Sequence, residues 1–231
     1  MSARSSWPSM ADPGRKLPFF PRLAGANFGD RLGAGVAAVL GIALAAFAAA
    51  VVPHGTATGL MLVAPMGASA VLVFAVPASP LAQPWSVVGG NIVSAVVGMI
   101  AAALVPVPAL AAGVAVGGAI IVMSMLRCLH PPGGAMALTV VLGSPLLAPM
   151  GPWFPLLPVG LNSLALVLAA WAWHRVSGHS YPHRVQPAPV PLFHREDMAK
   201  AVADMGETFD VAPEDLDALL QRAEAYARQR K

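Results

Sequence analysis

The chain has 231 residues, 57% of them hydrophobic and 11% charged, where soluble domains carry about 25% charged residues. Between Leu32 and His174 the sole charged side chain is Arg127. A stretch of that length without Asp, Glu or Lys has no wettable surface, which excludes a soluble fold and points to an all-α polytopic membrane protein in a lipid bilayer. The 14 basic residues outnumber the 11 acidic ones, but this does not indicate nucleic acid. The basic residues flank the apolar region, where positive charge marks the cytoplasmic side, and form no patch interleaved with aromatics.

Residues 1–31 are polar and rich in Pro, Ser and Arg, and read as a cytoplasmic arm. They lack the charged start, short apolar stretch and cleavage site of a signal peptide. Residues 32–174 form the membrane domain, with about six apolar segments at 33–52, 60–76, 86–105, 110–126, 135–147 and 156–173. The first, third, fourth and sixth are ordinary spans at 1.5 Å per residue. The second and fifth are short and start at Pro-Gly breaks, so broken helices are expected at Pro65 and Pro132. Residues 175–231 are a cytoplasmic linker and soluble helical tail. A short helix is expected over 195–205. A second starts at Pro213, with Glu214, Asp215 and Asp217 in its first turn and Arg228, Arg230 and Lys231 at its end, which complements the helix dipole. Leu216, Leu219, Leu220, Ala223 and Ala227 make one apolar face, on which Met198, Val202 and Met205 are expected to pack.

The membrane domain contains an internal repeat. Pro65, Gly67, Ala68, Ala70 and Val73 match Pro132, Gly134, Ala135, Ala137 and Val140 at a constant offset. Ser79-Pro80-Leu81 and Pro84 then match Ser144-Pro145-Leu146 and Pro149. Each block closes on a Trp (Trp85, Trp153) and is followed by a span with one asparagine (Asn91, Asn162). The unit is a span, a broken short helix, a Ser-Pro-Leu turn and an Asn-bearing span. Basic residues at both ends of the region put both termini on the cytoplasmic side and make the number of crossings even. Six crossings require two inverted three-segment repeats, and four crossings make the short segments re-entrant. The expectation is six segments in inverted repeats.

The stretch from Arg127 to Gly134 holds a guanidinium, a thiol, an imidazole, two prolines and two glycines. A helix start has free N–H groups and partial positive charge. With Arg127 and His130 beside it, and with Gly133 and Gly134 permitting close approach, it has the chemistry of an anion site. Pro65, Gly67 and Ser69 supply the second such start. Asn91 and Asn162 add neutral donors, although an Asn in a span also serves as interhelical glue. No carboxylate lies in the region, as a cation pathway would require. The electrostatics therefore favour an anion or a neutral solute, and the expected ligand of these nine residues is a small anion. Each also has a plain structural role: topology fixing for Arg127, a satisfied buried imidazole for His130, tight turns for the prolines and glycines. Gly90, Ser94 and Gly98, and Gly113 with Gly117, read as close-packing faces. No metal site is expected from His130 and Cys128, since the apolar segments offer only His54 besides. No cofactor is expected, and no hydrolytic activity, since no nucleophile has a paired base and there is no P-loop.

The blocks "HPPGGAMAL" at 130–138 and "PMGASAVLVFAVPASPLAQPW" at 65–85 resemble the HPP family of integral membrane proteins, named for its His-Pro-Pro, over about residues 25–173. The tail resembles the short extension of bacterial members. The resemblance implies four membrane-spanning helices, a bacterial inner-membrane location and, from plant chloroplast and cyanobacterial members, nitrite transport. Some members carry C-terminal CBS domains, for which this tail has no room. The expected function is thus an anion transporter or channel, with nitrite the solute that the resemblance implies, acting alone or as a homo-oligomer. The alternative is a non-transporting scaffold or sensor that acts through its C-terminal helices.

Overall fold

The computed structural model describes residues 28–50, 62–144, 147–184, 195–205 and 210–229. Among them every regular element is helical: α1 (Phe28–Ala50), α2 (Met66–Ala75), α3 (Pro84–Leu104), α4 (Pro108–Met125), α5 (Pro131–Val141), α6 (Leu147–Met150), α7 (Leu161–Ser177), α8 (Arg195–Met205) and α9 (Pro213–Gln229). Prolines open α3, α4 and α5, where the missing N–H costs no helical bond and φ is already set. Gly178, at φ 80°, closes α7 in the left-handed conformation that glycine adopts without strain.

Four helical runs are long and apolar enough to cross a membrane: Phe28–Ala48, Pro84–Leu104, Pro108–Met125 and Gly151–Ser177. The last is composite. A 3-10 turn, Gly151–Trp153, leads through a π-helical stretch, Pro155–Gly160, into α7. Pro155 and Pro158 donate no N–H, and the Val159 N–H reaches back five residues to the Phe154 carbonyl at 3.3 Å, which is the wider π pattern. The expected breaks at Pro65 and Pro132 are present as the starts of α2 and α5, both too short to span alone.

Contacts fix the relative directions of the helices. Gly33 of α1 faces Trp173 of α7, and Gly41 faces Leu166, so α1 and α7 are antiparallel. Trp85 of α3 donates its indole N–H to Leu126 O at 3.1 Å beyond the end of α4, while Val97 faces Gly118, so α3 and α4 are antiparallel too. The short helices instead run parallel to a long one. Gly90 meets His130 and Gly98 meets Ala137, so α5 follows α3. Ser163 meets Met66 and His174 meets Val73, so α2 follows α7. The first short helix thus lies on the last long helix, and the second short helix on the middle one.

Small residues make these seams, as expected where apolar side chains gain little by leaving lipid. The buried face of α4 is Ala111, Ala115, Ala119 and Met123 at four-residue spacing. On α3, Gly90, Ser94 and Gly98 turn toward α5. A Cβ on Gly90 would lie 2.6 Å from His130 Cβ, and one on Gly98 would lie 2.7 Å from Ala137 O. Gly113 and Gly117 are different: no other part of the described structure approaches within 4 Å of a Cβ at either. They do not form the internal packing face that their spacing suggested.

The tail helices start where expected, and polar bonds tie the tail to the α2–α3 loop and α9 to the linker after α7. Asp210 accepts from Ser79 Oγ at 2.8 Å, and His183 Nε2 pairs with Asp215 at 2.6 Å. Tyr181 donates to Ala82 O at 2.9 Å. The apolar face of α9 is left largely open, with Leu219 63% exposed. The N-terminal arm to residue 27, His54 and the side chains of Met198 and Met205 lie outside the described residues.

Candidate functional site

The site is built where the two short helices approach each other. His130 precedes α5 in an extended conformation, φ −142° and ψ 109°, the geometry favoured before a proline. This swings its ring away from the α5 axis and into the bundle, where the residue is fully buried. Nδ1 lies 2.8 Å from Leu81 O. A carbonyl only accepts, so Nδ1 carries the proton. In the neutral ring Nε2 is then an acceptor, and it receives the hydroxyl proton of Ser69, 2.8 Å away. Asn91 Nδ2 donates to Ser69 Oγ and to Ser163 Oγ, both at 3.3 Å. Ser163 in turn points at Met66 Sδ, 3.7 Å away.

The result is a directional chain, Asn91 N–H to Ser69 O–H to His130 Nε2, closed by His130 Nδ1–H on Leu81 O. It joins α2, α3, α7, the α2–α3 loop and the start of α5. Ser69, Asn91, His130 and Ser163 all have zero exposure, and Asn91 Oδ1 is buried with no hydrogen-bond partner. An unmade bond at a buried amide oxygen costs about 1–3 kcal/mol, which marks Asn91 as the unbalanced member of the cluster.

The expected site residues divide between this cluster and other places. Ser69, Asn91 and His130 come together. Arg127 does not join them: it is exposed at the end of α4, with φ 54°. Its N–H bonds to Ser124 O and the next N–H, that of Cys128, bonds to Met123 O. That is the Schellman closure, with arginine at the left-handed position where glycine is the usual residue. Asn162 turns to its own helix and donates to Pro158 O at 2.6 Å. Gly133 is packed, since a Cβ there would meet Ser94 Oγ at 2.5 Å and Met123 Sδ at 2.8 Å. Gly134 and Gly67 are not crowded.

The helix starts offer fewer donors than their position suggested. The Met66 and Gly67 N–H groups bond to Val63 O and Ala64 O, and the Gly133 N–H bonds to His130 O. Pro131 and Pro132 have none. The side-chain donors of the cluster are likewise engaged with one another, and the group left open there is the Asn91 amide oxygen.

Ser163 and His174 were not singled out in the sequence. The repeat pairs Asn91 with Asn162, but one residue along a helix turns the side chain by about 100°, and Ser163 is the neighbour that faces Asn91. His174, buried near the end of α7, donates from Nε2 to Val73 O at 2.8 Å and ties α7 to the end of α2. Nearby, an open cavity of about 440 Å³ lies between the start of α1 and the ends of α2 and α7, with Arg31, Phe74, Trp173 and His179 in its wall. No group of three or more His, Cys, Asp or Glu side chains that could hold a metal occurs among the described residues.

Comparison with known proteins agrees with this architecture. Residues 24–182 match the profile of the family described as "HPP, transmembrane region". A transmembrane protein of Dictyostelium discoideum is 43% identical over 115 residues, covering 48% of this chain and 37% of the relative. A second transmembrane protein of that organism is 47% identical over 87 residues, covering 36% of this chain and 30% of the relative. The chain thus spans about a third of the length of the curated relatives it matches. No solved structure matches it. The family match covers more than half of the chain and includes both short helices and the buried polar cluster: the protein is a multi-pass membrane protein of the HPP transmembrane-region family.

Proposed function

We propose that the chain is a transporter or channel for a small inorganic anion, and that the solute passes the Ser69–Asn91–His130 cluster. The carrying observation is the Asn91 amide within a fully buried polar cluster, one end of which has no hydrogen-bond partner; turned end for end between its two hydroxyl neighbours, the amide offers a donor there. Polar groups at membrane depth are expensive and are kept where they serve a solute path. The sign of the solute follows from charge. No carboxylate lies between Leu32 and His174, and Arg127 is the one fixed charge there. Cations would find no fixed counter-charge, whereas an anion would meet Arg127 at one mouth and, with the Asn91 amide turned, one neutral donor inside.

The helix directions support reading the six segments as two inverted three-segment repeats. Exchanging α1, α2 and α3 with α4, α5 and α7 turns the α1–α7 contact into the α4–α3 contact. It likewise turns the parallel α2–α7 pair into the parallel α5–α3 pair. In this arrangement the start of α1 and the end of α7 share one side, and Arg31 and Arg175 there favour the cytoplasm. Repeat-built transporters place broken helices at the repeat interface near the solute, which is where Ser69 and His130 meet. The family resemblance makes nitrite the first anion to assay.

The test is counterflow into proteoliposomes with nitrite, nitrate, formate and chloride. Uptake of at least one anion well above that of protein-free vesicles is expected. Background rates for the whole panel would overturn the reading. The open apolar face of α9 favours a second reading, a scaffold that acts through its tail. Removal of residues 190–231 separates the two: transport survives it, whereas scaffold function would not.

A further inference from the structure

The transport reading leaves unexplained why an imidazole, and not another neutral donor, sits at the junction. His130 has a fixed tautomer. Leu81 O holds the Nδ1 proton at 2.8 Å, so the nitrogen that faces the cluster, Nε2, is the one that can gain a proton. Few charged or titratable groups surround it. Among the described residues, α2, α3, α4, α5 and the α2–α3 loop carry none. The α4–α5 connection carries the buried Cys128 thiol and the exposed Arg127. On α7, His174 and Arg175 lie at the far end. Beyond the bundle, Asp210 reaches the loop at Ser79 and His183 donates its backbone N–H to Gln83 Oε1. The carboxylate on α1, Asp30, lies beside Trp173, His174 and Ser177 at the far end of α7, so it cannot balance a charge on His130, and a buried, unpaired imidazolium is strongly disfavoured.

The Asn91 amide adds the second half of the argument. Its two neighbours, at 3.3 Å, are hydroxyls, which donate as readily as they accept. The amide therefore fits either way round. With Nδ2 toward the serines, the Ser69 proton goes to neutral His130 and Oδ1 is the end without a partner. With Oδ1 toward the serines, Ser69 and Ser163 donate to it and Ser69 accepts from a protonated Nε2. Nδ2, a donor, is then the end without a partner. A neutral His130 thus presents an acceptor that repels an anion, and a charged His130 presents a donor that holds one.

We propose that His130 is the proton site of an electroneutral symport, in which one proton on Nε2 and one monovalent anion beside Asn91 are taken up and released together. The proposal rests on the transport reading above. The proton comes from water at one mouth and adds to the Nε2 lone pair. The Nδ1–H bond stays intact on Leu81 O. The Ser69 proton turns from His130 to Asn91 Oδ1, and each of these moves reverses on release at the other mouth. Coupling arises because the proton supplies the charge that the anion needs and the anion supplies the counter-charge that the imidazolium needs.

The experiment uses the full chain in proteoliposomes loaded with a pH dye, with potassium and valinomycin setting the voltage. Potassium nitrate and potassium nitrite are the probes, and leak in protein-free vesicles is subtracted. An inward anion gradient is expected to acidify the lumen by one proton per anion, at a rate independent of the imposed voltage. Anion uptake that follows voltage without acidification would overturn the coupling and leave the transport reading standing. No protein-dependent uptake of nitrite, nitrate, formate or chloride would overturn both. Replacement His130→Gln keeps an acceptor for Ser69 but cannot be charged, and is expected to slow acidification at least tenfold, while His174→Gln leaves it in place. The reverse pattern would overturn the assignment to His130. A measurement on the unmodified protein stands apart from any folding defect: above the pH at which His130 gives up its proton, the apparent anion affinity should weaken tenfold per pH unit. An affinity that stays flat across the alkaline range would count against the proposal.

Discussion

The parallel seam between α3 and α5 positions His130, and Gly98→Ala tests it. A Cβ at residue 98 would lie 2.7 Å from Ala137 O, 3.0 Å from Val140 Cβ and 3.1 Å from Ala137 Cα. Two of these three atoms are backbone, so no rotamer change relieves the contact. An ordinary contact begins at 3.4 Å, so α5 must retreat by 3.4 − 2.7, about 0.7 Å. A gap of 0.5–1 Å forfeits roughly a quarter to a half of the dispersion energy of the atoms along it. Overpacking of this kind costs about 1–3 kcal/mol, and alanine's better helix propensity returns up to about 1 kcal/mol. A net loss of about 1–2 kcal/mol is expected. At roughly 2–4 °C per kcal/mol for a chain of this size, Tm in detergent should fall by about 2–8 °C. Gly113→Ala is the control: with nothing within 4 Å, it should leave Tm unchanged or raise it by up to about 4 °C. Equal melting of the two variants would refute the packing argument.

Arg127→Gly relieves a left-handed arginine, worth about 1–2 kcal/mol, and removes the sole fixed charge between Leu32 and His174. The variant should melt at or above the native Tm while anion uptake falls at least tenfold, and a less stable variant would show that the side chain holds the fold. Gly90→Ala would drive a Cβ into His130 Cβ at 2.6 Å and Cys128 O at 2.7 Å. It should displace the imidazole from Leu81 and Ser69, lowering both Tm and transport. Tyr181→Phe deletes the 2.9 Å bond to Ala82 O and should cost about 1 kcal/mol at neutral pH in a denaturation series. Burial pushes the Tyr181 hydroxyl above the ordinary tyrosine range. Its stabilising contribution is therefore full below pH about 10 and falls as the pH rises beyond that. Tyr181→Phe should lack this component of alkaline destabilisation.

Several features of this fold are written locally in the sequence. Pro84, Pro108, Pro131 and Pro213 each open a helix, because a proline at the first helical position is a local signal. The near-absence of charge between Leu32 and His174 identified the membrane class for an equally simple reason. What depended on three-dimensional register was harder to read. Asn162 and Ser163 are adjacent in sequence, yet only Ser163 faces Asn91, since the helix rotation decides which side chain points inward. Gly98 and Gly113 both sit at four-residue spacings with other small residues, and only a neighbouring helix distinguishes the crowded one from the open one. Arg127 and His130 are three residues apart, but the left-handed turn at Arg127 and the extended backbone at His130 send one outward and the other inward. The π-helical stretch before α7 depends on Pro155 and Pro158 within a continuous apolar run, where a regular helix was the simpler expectation.

The central claim, that the buried cluster is the solute path, is tested most directly by anion flux through the double variant Ser69→Ala, Asn91→Leu. The pair is removed together, but His130 Nε2 loses its donor, at a cost of about 1–3 kcal/mol, so flux is compared per molecule shown by its melting transition to be inserted and folded. The account predicts that its uptake of the transported anion falls at least tenfold relative to the native chain. Native flux in a correctly folded double variant would contradict it.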